Sequence, residues 1–266
     1  MSKILFIILI VILALLVLGN ILTNPLQHHF IFYPQALEKD YTYSFANNFE
    51  EVNLNAEDGG LINAIHFTEP GAKGVVLYFH GNADNLVRWG ELNNGFKELG
   101  YDLFIMDFRG FGKSKGKQTQ KAFYNDAILC YEYVSKKYDS NQVIIYGRSM
   151  GSGPASFLAS NVNAKHLILE TPFYSMASLF KSYYPILPEL FSFKFKFKNS
   201  KYIKEVKYPI TIFHGTNDFI VPIEEASKLK NVLKESDEFI TIEGGSHNDL
   251  NIFHAYQSKL SEIFNN

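Results

Sequence analysis

Residues Gly147-Arg148-Ser149-Met150-Gly151 carry the strongest chemical signal in this sequence. They follow the apolar run Val143-Ile144-Ile145-Tyr146 and lead into a helix-compatible stretch from Ser152. Gly-x-Ser-x-Gly between a strand and a helix is the pattern of a nucleophile elbow. The turn is so tight that the serine is strained and its hydroxyl stands above the sheet. A β-carbon at either flanking glycine would strike the neighbouring strand or helix. The chemistry such a serine can do is acyl transfer. Its hydroxyl is a poor nucleophile at neutral pH, so it needs a base to take its proton and an acid to hold that base.

After an elbow serine, the acid and then the histidine follow in chain order. Ile210-Thr211-Ile212-Phe213-His214-Gly215-Thr216-Asn217-Asp218 puts Asp218 just beyond a buried strand, and Phe239 to His247 does the same for His247. Loops at the carboxyl ends of parallel strands share one edge of the sheet, so Ser149, Asp218 and His247 can converge as a catalytic triad. The transition state also needs donors for a developing oxyanion, and each is worth about 3 kcal/mol. The backbone N–H of Met150 is one candidate, and that of Asn82, in His80-Gly81-Asn82-Ala83, is the other.

Other polar residues compete for these roles. Glu170 ends a strand and is the rival acid, with a structural carboxylate as the preferred reading. Asp249 is read as a cap of the final helix. His80 is expected to hold its loop, His214 to be structural, and His254 to lie mid-helix. His28-His29 lacks ligand spacing, so no metal is expected, and no cofactor motif is present: there is neither Gly-x-Gly-x-x-Gly nor a P-loop.

The elements that must position these residues alternate. Two antiparallel strands are expected at Val52–Asn55 and Ile62–Phe67, flanking Asp58-Gly59-Gly60. Buried strands follow at Val75–Phe79, Asp102–Met106, Val143–Tyr146, His166–Leu169, Ile210–Phe213 and Phe239–Ile242. Helices are expected near 85–99, 123–137, 152–159, 224–234 and 251–263. This alternation predicts a mostly parallel sheet with helices on both faces. An aromatic, Pro-interrupted excursion at 172–208 breaks it, read either as a surface excursion or as a cap over an acyl pocket. Its Lys194, Lys196 and Lys198 alternate with Phe193, Phe195 and Phe197. An edge strand or a membrane-facing basic-aromatic patch would fit, with an ordinary solvated face as the default.

Length and composition fit one large core: 266 residues, 47% hydrophobic and 15% aromatic. A net charge of -2 gives no electrostatic case for nucleic acid. The lone Cys130 excludes an internal disulfide, and its predicted helix makes it buried filler. Ile4 to Leu18 is uninterruptedly apolar, extended by Ile21 and Leu22. As a helix, Ile4 to Leu22 would span roughly 28 Å, close to a bilayer's hydrocarbon thickness. The expected organisation is therefore a transmembrane anchor over 1–24, a linker over 25–47 and a catalytic domain over 48–266. Lys3 before the run and no Lys or Arg until Lys39 put the N-terminus on the cytoplasmic side and the domain on the far side. A cleaved signal peptide, with a secreted or periplasmic product, is the alternative.

At this point the chain resembles a known family. His80-Gly81-Asn82, Asp107 to Ser114, Gly147 to Gly151, His214 to Pro222 and Gly245 to Asp249 occur in the order seen in α/β-hydrolases. They look most like the membrane-anchored Bem46-like group and the serine aminopeptidase S33-like hydrolases. The resemblance covers roughly Val52 to the C-terminus. It implies an α/β-hydrolase fold, Ser149, Asp218 and His247 as triad, and Asn82 and Met150 at the oxyanion hole. The reading is a membrane-anchored serine hydrolase acting on an ester or thioester of a small-molecule or lipid-like acyl group. A peptidase or amidase of the same fold, or a non-catalytic binding module on that scaffold, is the alternative.

Overall fold

In the computed structural model, residues 27–185 and 193–265 are described, together with 3, 5–8, 10 and 11 near the N-terminus. The strands are β1 (Tyr33–Pro34), β2 (Phe49–Asn55), β3 (Leu61–Phe67), β4 (Val75–Phe79) and β5 (Ala83–Asp84). They continue with β6 (Asp102–Met106), β7 (Val143–Arg148), β8 (His166–Glu170), β9 (Ile210–Gly215) and β10 (Glu238–Ile242). Among the described residues, eight of them form one sheet in the order β10-β9-β8-β7-β4-β6-β3-β2. All run parallel except β3, which is antiparallel to both β2 and β6. The β2–β3 hairpin turns at Gly59, whose φ of +83° suits glycine.

Unbroken apolar runs produce the central strands because both of their faces are covered. Every residue of β4, β6 and β7 is buried. One face carries α1 (Gln27–Ile31) and, further along the chain, Phe123, Cys130 and Leu158 from the helices 120–134 and 152–159. The opposite face packs Tyr78, Trp89, Phe96, Tyr146, Tyr256 and Phe264. On the first face Cys130 is wholly buried as filler, and burial pushes its thiol pKa well up, which leaves it inert.

Several element boundaries differ from expectation, each for a local reason. The helix expected over 85–99 is broken into α2 (Leu86–Trp89), a 3-10 turn at Gly90–Leu92 and α3 (Asn93–Glu98). Gly90 sits against the Phe45 ring, where any β-carbon would collide. Helix α4 spans Gln120–Val134 because Thr119 caps it, accepting from the Ala122 N–H. Helices α5 (Ser152–Ala159), α6 (Met176–Tyr183), α7 (Asn199–Ile203) and α8 (Ile223–Ser227) follow. The last helix, α9 (His254–Asn265), opens at His254, so that residue is not mid-helix.

The expected linker is structured over its described part. Phe32 and Tyr43 are buried, and β1 pairs in parallel with β5. The alternating Lys–Phe stretch forms no strand. Phe195 and Phe197 are buried while Lys194, Lys196 and Lys198 are exposed. The N–H groups of Lys196 and Phe197 are satisfied by the Gln120 side-chain oxygen at 2.5 and 3.0 Å instead of by a partner strand.

Most of the expected anchor, residues 1–24, lies outside the described residues. Those described at its start, 3, 5–8, 10 and 11, are helical, and the apolar ones among them are exposed. Among the described residues no helix is long and apolar enough to cross a membrane.

Candidate active site

Strand β7 delivers Ser149 into the turn with φ +51°, a left-handed conformation that a non-glycine residue holds only when its surroundings enforce it. The enforcement is visible on both sides. A β-carbon at Gly147 would strike Ala155 and Ser152, and one at Gly151 would strike the carbonyl oxygens of Phe79 and His80. The elbow is therefore pressed between α5 and the end of β4. Ser152 Oγ donates to the Ser149 carbonyl at 2.6 Å and fixes the turn from within.

His247, in the loop after β10, has its Nε2 2.9 Å from Ser149 Oγ. Its Nδ1 lies 2.7 Å from Asp218 Oδ2, in the loop after β9. With Asp218 ionised, Nδ1–H donates to the carboxylate, which leaves Nε2 as the acceptor for the serine proton. The other carboxylate oxygen, Oδ1, accepts the N–H groups of Ile220 (2.9 Å) and Val221 (2.8 Å), so Asp218 is locked from both sides. All three side chains are buried.

His214 packs against the loop that carries Asp218. Its Nε2–H donates to the Val221 carbonyl at 2.8 Å and lies 3.3 Å from Asp218 Oδ2. Burial lowers its pKa, which keeps the ring neutral beside the acid. Asp249 does not cap α9. Its Oδ1 accepts the Ser246 N–H at 2.6 Å and closes the loop that carries His247. That bond holds the Asp249 carboxyl below its usual range.

The expected oxyanion loop runs beside the nucleophile: a β-carbon on Gly81 would be 3.9 Å from Ser149 Cβ. His80 is buried, its Nδ1–H donates to the Gly81 carbonyl at 2.6 Å, and its Nε2 lies 3.3 Å from Asp107 Oδ1. Asn82 is fixed by the chain that sequence reasoning took for a linker. Its carbonyl accepts the Tyr33 N–H at 2.7 Å and its Nδ2 donates to the Ile31 carbonyl at 2.7 Å. Met150, the other expected donor, is buried in the turn itself.

Beneath the site, Arg148 had no assigned role, and Glu170 was preferred as a structural carboxylate. Arg148, the unassigned second residue of the elbow motif, donates through Nη2 to the His247 carbonyl (3.2 Å) and to Asn248 Oδ1 (3.0 Å). Its Nε is 3.2 Å from Glu170 Oε1, and its guanidinium stacks 5.3 Å over the Trp89 ring. Glu170 makes no contact with His247, whose Nδ1 faces Asp218 instead. Its other oxygen accepts from Tyr146 and from Tyr256, the latter at 3.1 Å. Burial, and then the Glu170 carboxylate, push both tyrosine pKa values well up, so both hydroxyls stay donors. The only sequence signal was an arginine and a glutamate ending adjacent buried strands.

The 172–208 excursion joins this floor through Asn199. Its Nδ2 donates to Ser152 Oγ (2.8 Å) and to the Phe173 carbonyl (2.9 Å). A cavity of about 600 Å³ lies elsewhere, beside α4 and the β2–β3 turn. Arg109 in its wall is already paired with Asp58 and Asp126, each at 2.7 Å. Among the described residues, no group of three or more His, Cys, Asp or Glu could hold a metal ion.

Comparison with known proteins agrees with this architecture. Residues 70–199 match the family described as serine aminopeptidase, S33. The chain is 30% identical over 281 residues to uncharacterized protein R595 of Acanthamoeba polyphaga mimivirus, covering 95% of this chain and 94% of that one. It is 29% identical to alpha/beta hydrolase domain-containing protein 17B of Homo sapiens, over 73% of this chain and 67% of that protein. It is 30% identical to the lysophosphatidylserine lipase ABHD12 of Rattus norvegicus, covering 71% of this chain and 53% of the lipase. Among solved structures, the Pyrococcus furiosus esterase Pf2001 superposes with a TM-score of 0.68 at 20% identity, over 88% of this chain and 97% of the esterase.

Proposed function

The chain belongs to the α/β-hydrolase superfamily, and from that premise we propose that it is a membrane-anchored serine hydrolase cleaving an ester or thioester through an acyl-enzyme on Ser149. The observation that carries this reading is the buried relay Ser149 Oγ–His247 Nε2, His247 Nδ1–Asp218 Oδ2 at 2.9 and 2.7 Å. Oγ attacks the acyl carbonyl while Nε2 takes its proton, and Asp218 stabilises the resulting imidazolium. The oxyanion is met by the N–H groups of Met150 and Asn82. Collapse breaks the bond to the leaving group, which receives the proton from His247. Water then repeats the sequence and frees the acid, regenerating Ser149.

The apolar run Ile4 to Leu18 supports an anchor over 1–24, with the hydrolase domain beyond it. A lipid-like acyl substrate is favoured by that anchor and by the likeness to a lysophosphatidylserine lipase. The serine aminopeptidase match favours a second reading, amide hydrolysis by the same relay. A matched series of ester, thioester and amide substrates separates the two.

The decisive test is a fluorophosphonate probe. Wild-type protein is expected to be labelled and Ser149→Ala, folded by circular dichroism, is not. Undiminished labelling of the variant would sink the assignment.

A further inference from the structure

The cap is charged against the trend of the whole chain. Residues 172–208 contain seven lysines and two glutamates, net +5, in a protein of net charge -2. It is also rich in aromatic side chains, and several large apolar groups on its outer rim are left exposed. Tyr183 and Tyr184 at the end of α6 are about half exposed, and Phe219 beside them is 87% exposed. The Tyr183 hydroxyl donates to the carbonyls of Phe219 (2.6 Å) and Ile220 (2.8 Å), which ties this rim to the loop that carries Asp218.

The same surface continues to where the N-terminal run enters the domain. The Phe180 ring contacts Tyr184 at 4.8 Å on one side and Phe193 at 5.4 Å on the other. The N–H of the next residue, Lys194, is held at 2.9 Å by the side chain of Gln27, the first residue of α1. Gln27 follows the apolar run by only a few residues. Lys194, Lys196 and Lys198 all point outward here because the phenylalanines between them are turned into the core.

We propose that this face of the cap docks on an anionic lipid surface, with the tyrosines, Phe219 and Ile220 entering the interface and the three lysines meeting negatively charged headgroups. Amphipathic aromatic side chains favour the headgroup level, and basic residues near an anionic leaflet each add to binding. A tether arriving at Gln27 holds the cap within reach of the membrane it would be anchored in. Because Phe219 and Ile220 directly follow Asp218, docking sets the mouth of the site against the bilayer. Substrate then reaches Ser149 from the lipid phase. Only this last step rests on the hydrolase reading; the docking does not.

The test uses the full chain carrying Phe219→Cys and an environment-sensitive fluorophore. The single native cysteine, Cys130, is buried and does not compete for the label. The protein is reconstituted into vesicles of phosphatidylcholine alone or with phosphatidylglycerol. A blue shift is expected only with phosphatidylglycerol, weakened by salt. In K194Q/K196Q/K198Q the ratio of docked to undocked protein is expected to fall on the order of a hundredfold. A dye equally exposed in both vesicle types, or a shift indifferent to the lysines, overturns the proposal, as would be found if the patch served an acidic protein. No turnover is needed, so a failed hydrolase assignment leaves this result standing. A kinetic arm tests the route of entry. The lysine variant is expected to keep wild-type kcat/KM on a water-soluble short-chain ester and to lose activity on an ester embedded in anionic vesicles. Equal loss on both would overturn the route.

Discussion

The floor of the site and its cap are built by opposite means. In the floor, Ser149, His247, Asp218, Arg148 and Glu170 are all buried polar groups, each held by hydrogen bonds or ion pairs to neighbouring loops and strand ends. In the 172–208 excursion, aromatic packing joins a few hydrogen bonds: Phe195 on Phe32 at 4.7 Å, Phe197 on Phe123 at 6.4 Å, with the lysine charges left in water. Buried polar networks have sharply defined geometry because any unmade bond is costly. Aromatic contacts tolerate small shifts. On the proposed function, the floor would set chemical rate and the excursion would set access.

The largest test of that contrast is Asp218→Asn. It preserves shape but favours the wrong imidazole tautomer, so kcat on a soluble ester should fall on the order of 10^4-fold with KM little changed. A comparable change in KM would mean that the floor also governs binding.

Arg148→Met comes next. It leaves the Glu170 carboxylate buried without its cation, a loss of about 3–5 kcal/mol of stability in urea denaturation. It also frees the His247 carbonyl, so kcat is expected to drop about 100-fold. Arg148→Met/Glu170→Gln should recover much of the stability but not the rate. Joint recovery would make the pair purely structural.

The pH dependence of folding should separate from that of the floor. Burial lowers the pKa of His66 to about 4, with Lys137 opposing its charge as well, and burial likewise lowers that of His166 to about 4. Both stay neutral when folded, while an unfolded histidine takes up a proton near pH 6.5. Their stabilisation is complete above pH 6.5 and is lost as pH falls toward 4, by up to about 3 kcal/mol each. Protonating His66 would also strand a second N–H, since its Nδ1 has no partner. Denaturation at pH 7.5 and 5 should show this loss, and His66→Gln should flatten it without moving the activity profile.

The smallest effect is expected at the join. Asn199→Ala removes the bonds to Ser152 Oγ and the Phe173 carbonyl, at about 1–2 kcal/mol of stability. KM for long-chain esters should rise more than kcat falls. The reverse would assign Asn199 to the floor.

Much of the floor was legible because its signals are local. Gly147 and Gly151 declare a turn with no room for a β-carbon, and Asp218 and His247 each follow an apolar strand run at a short distance. The role of Arg148 was not legible, nor were the partners of Glu170, since they lie about a hundred residues away or on an adjacent strand. Residues 25–47 were read as a linker because their pattern has no period. Their part in fixing Asn82 depends on a parallel bridge to β5 that no local rule announces. Asp249 was misread for a local reason: its carboxylate does accept a backbone N–H, but that of Ser246, three residues before it, and not one of the final helix.

The sequence by itself determined the strand and helix alternation, the glycine-flanked turn at Ser149, the placing of Asp218 and His247 just after apolar strands, and the apolar N-terminal run, each a property of residues within a few positions of one another. Tertiary structure alone decided which carboxylate faces His247, what holds the oxyanion loop, and which way the lysines and phenylalanines of the cap point. Those choices are made by contacts between segments far apart in the chain, where the cost of leaving a buried polar group unpaired selects one arrangement among many that local pattern allows.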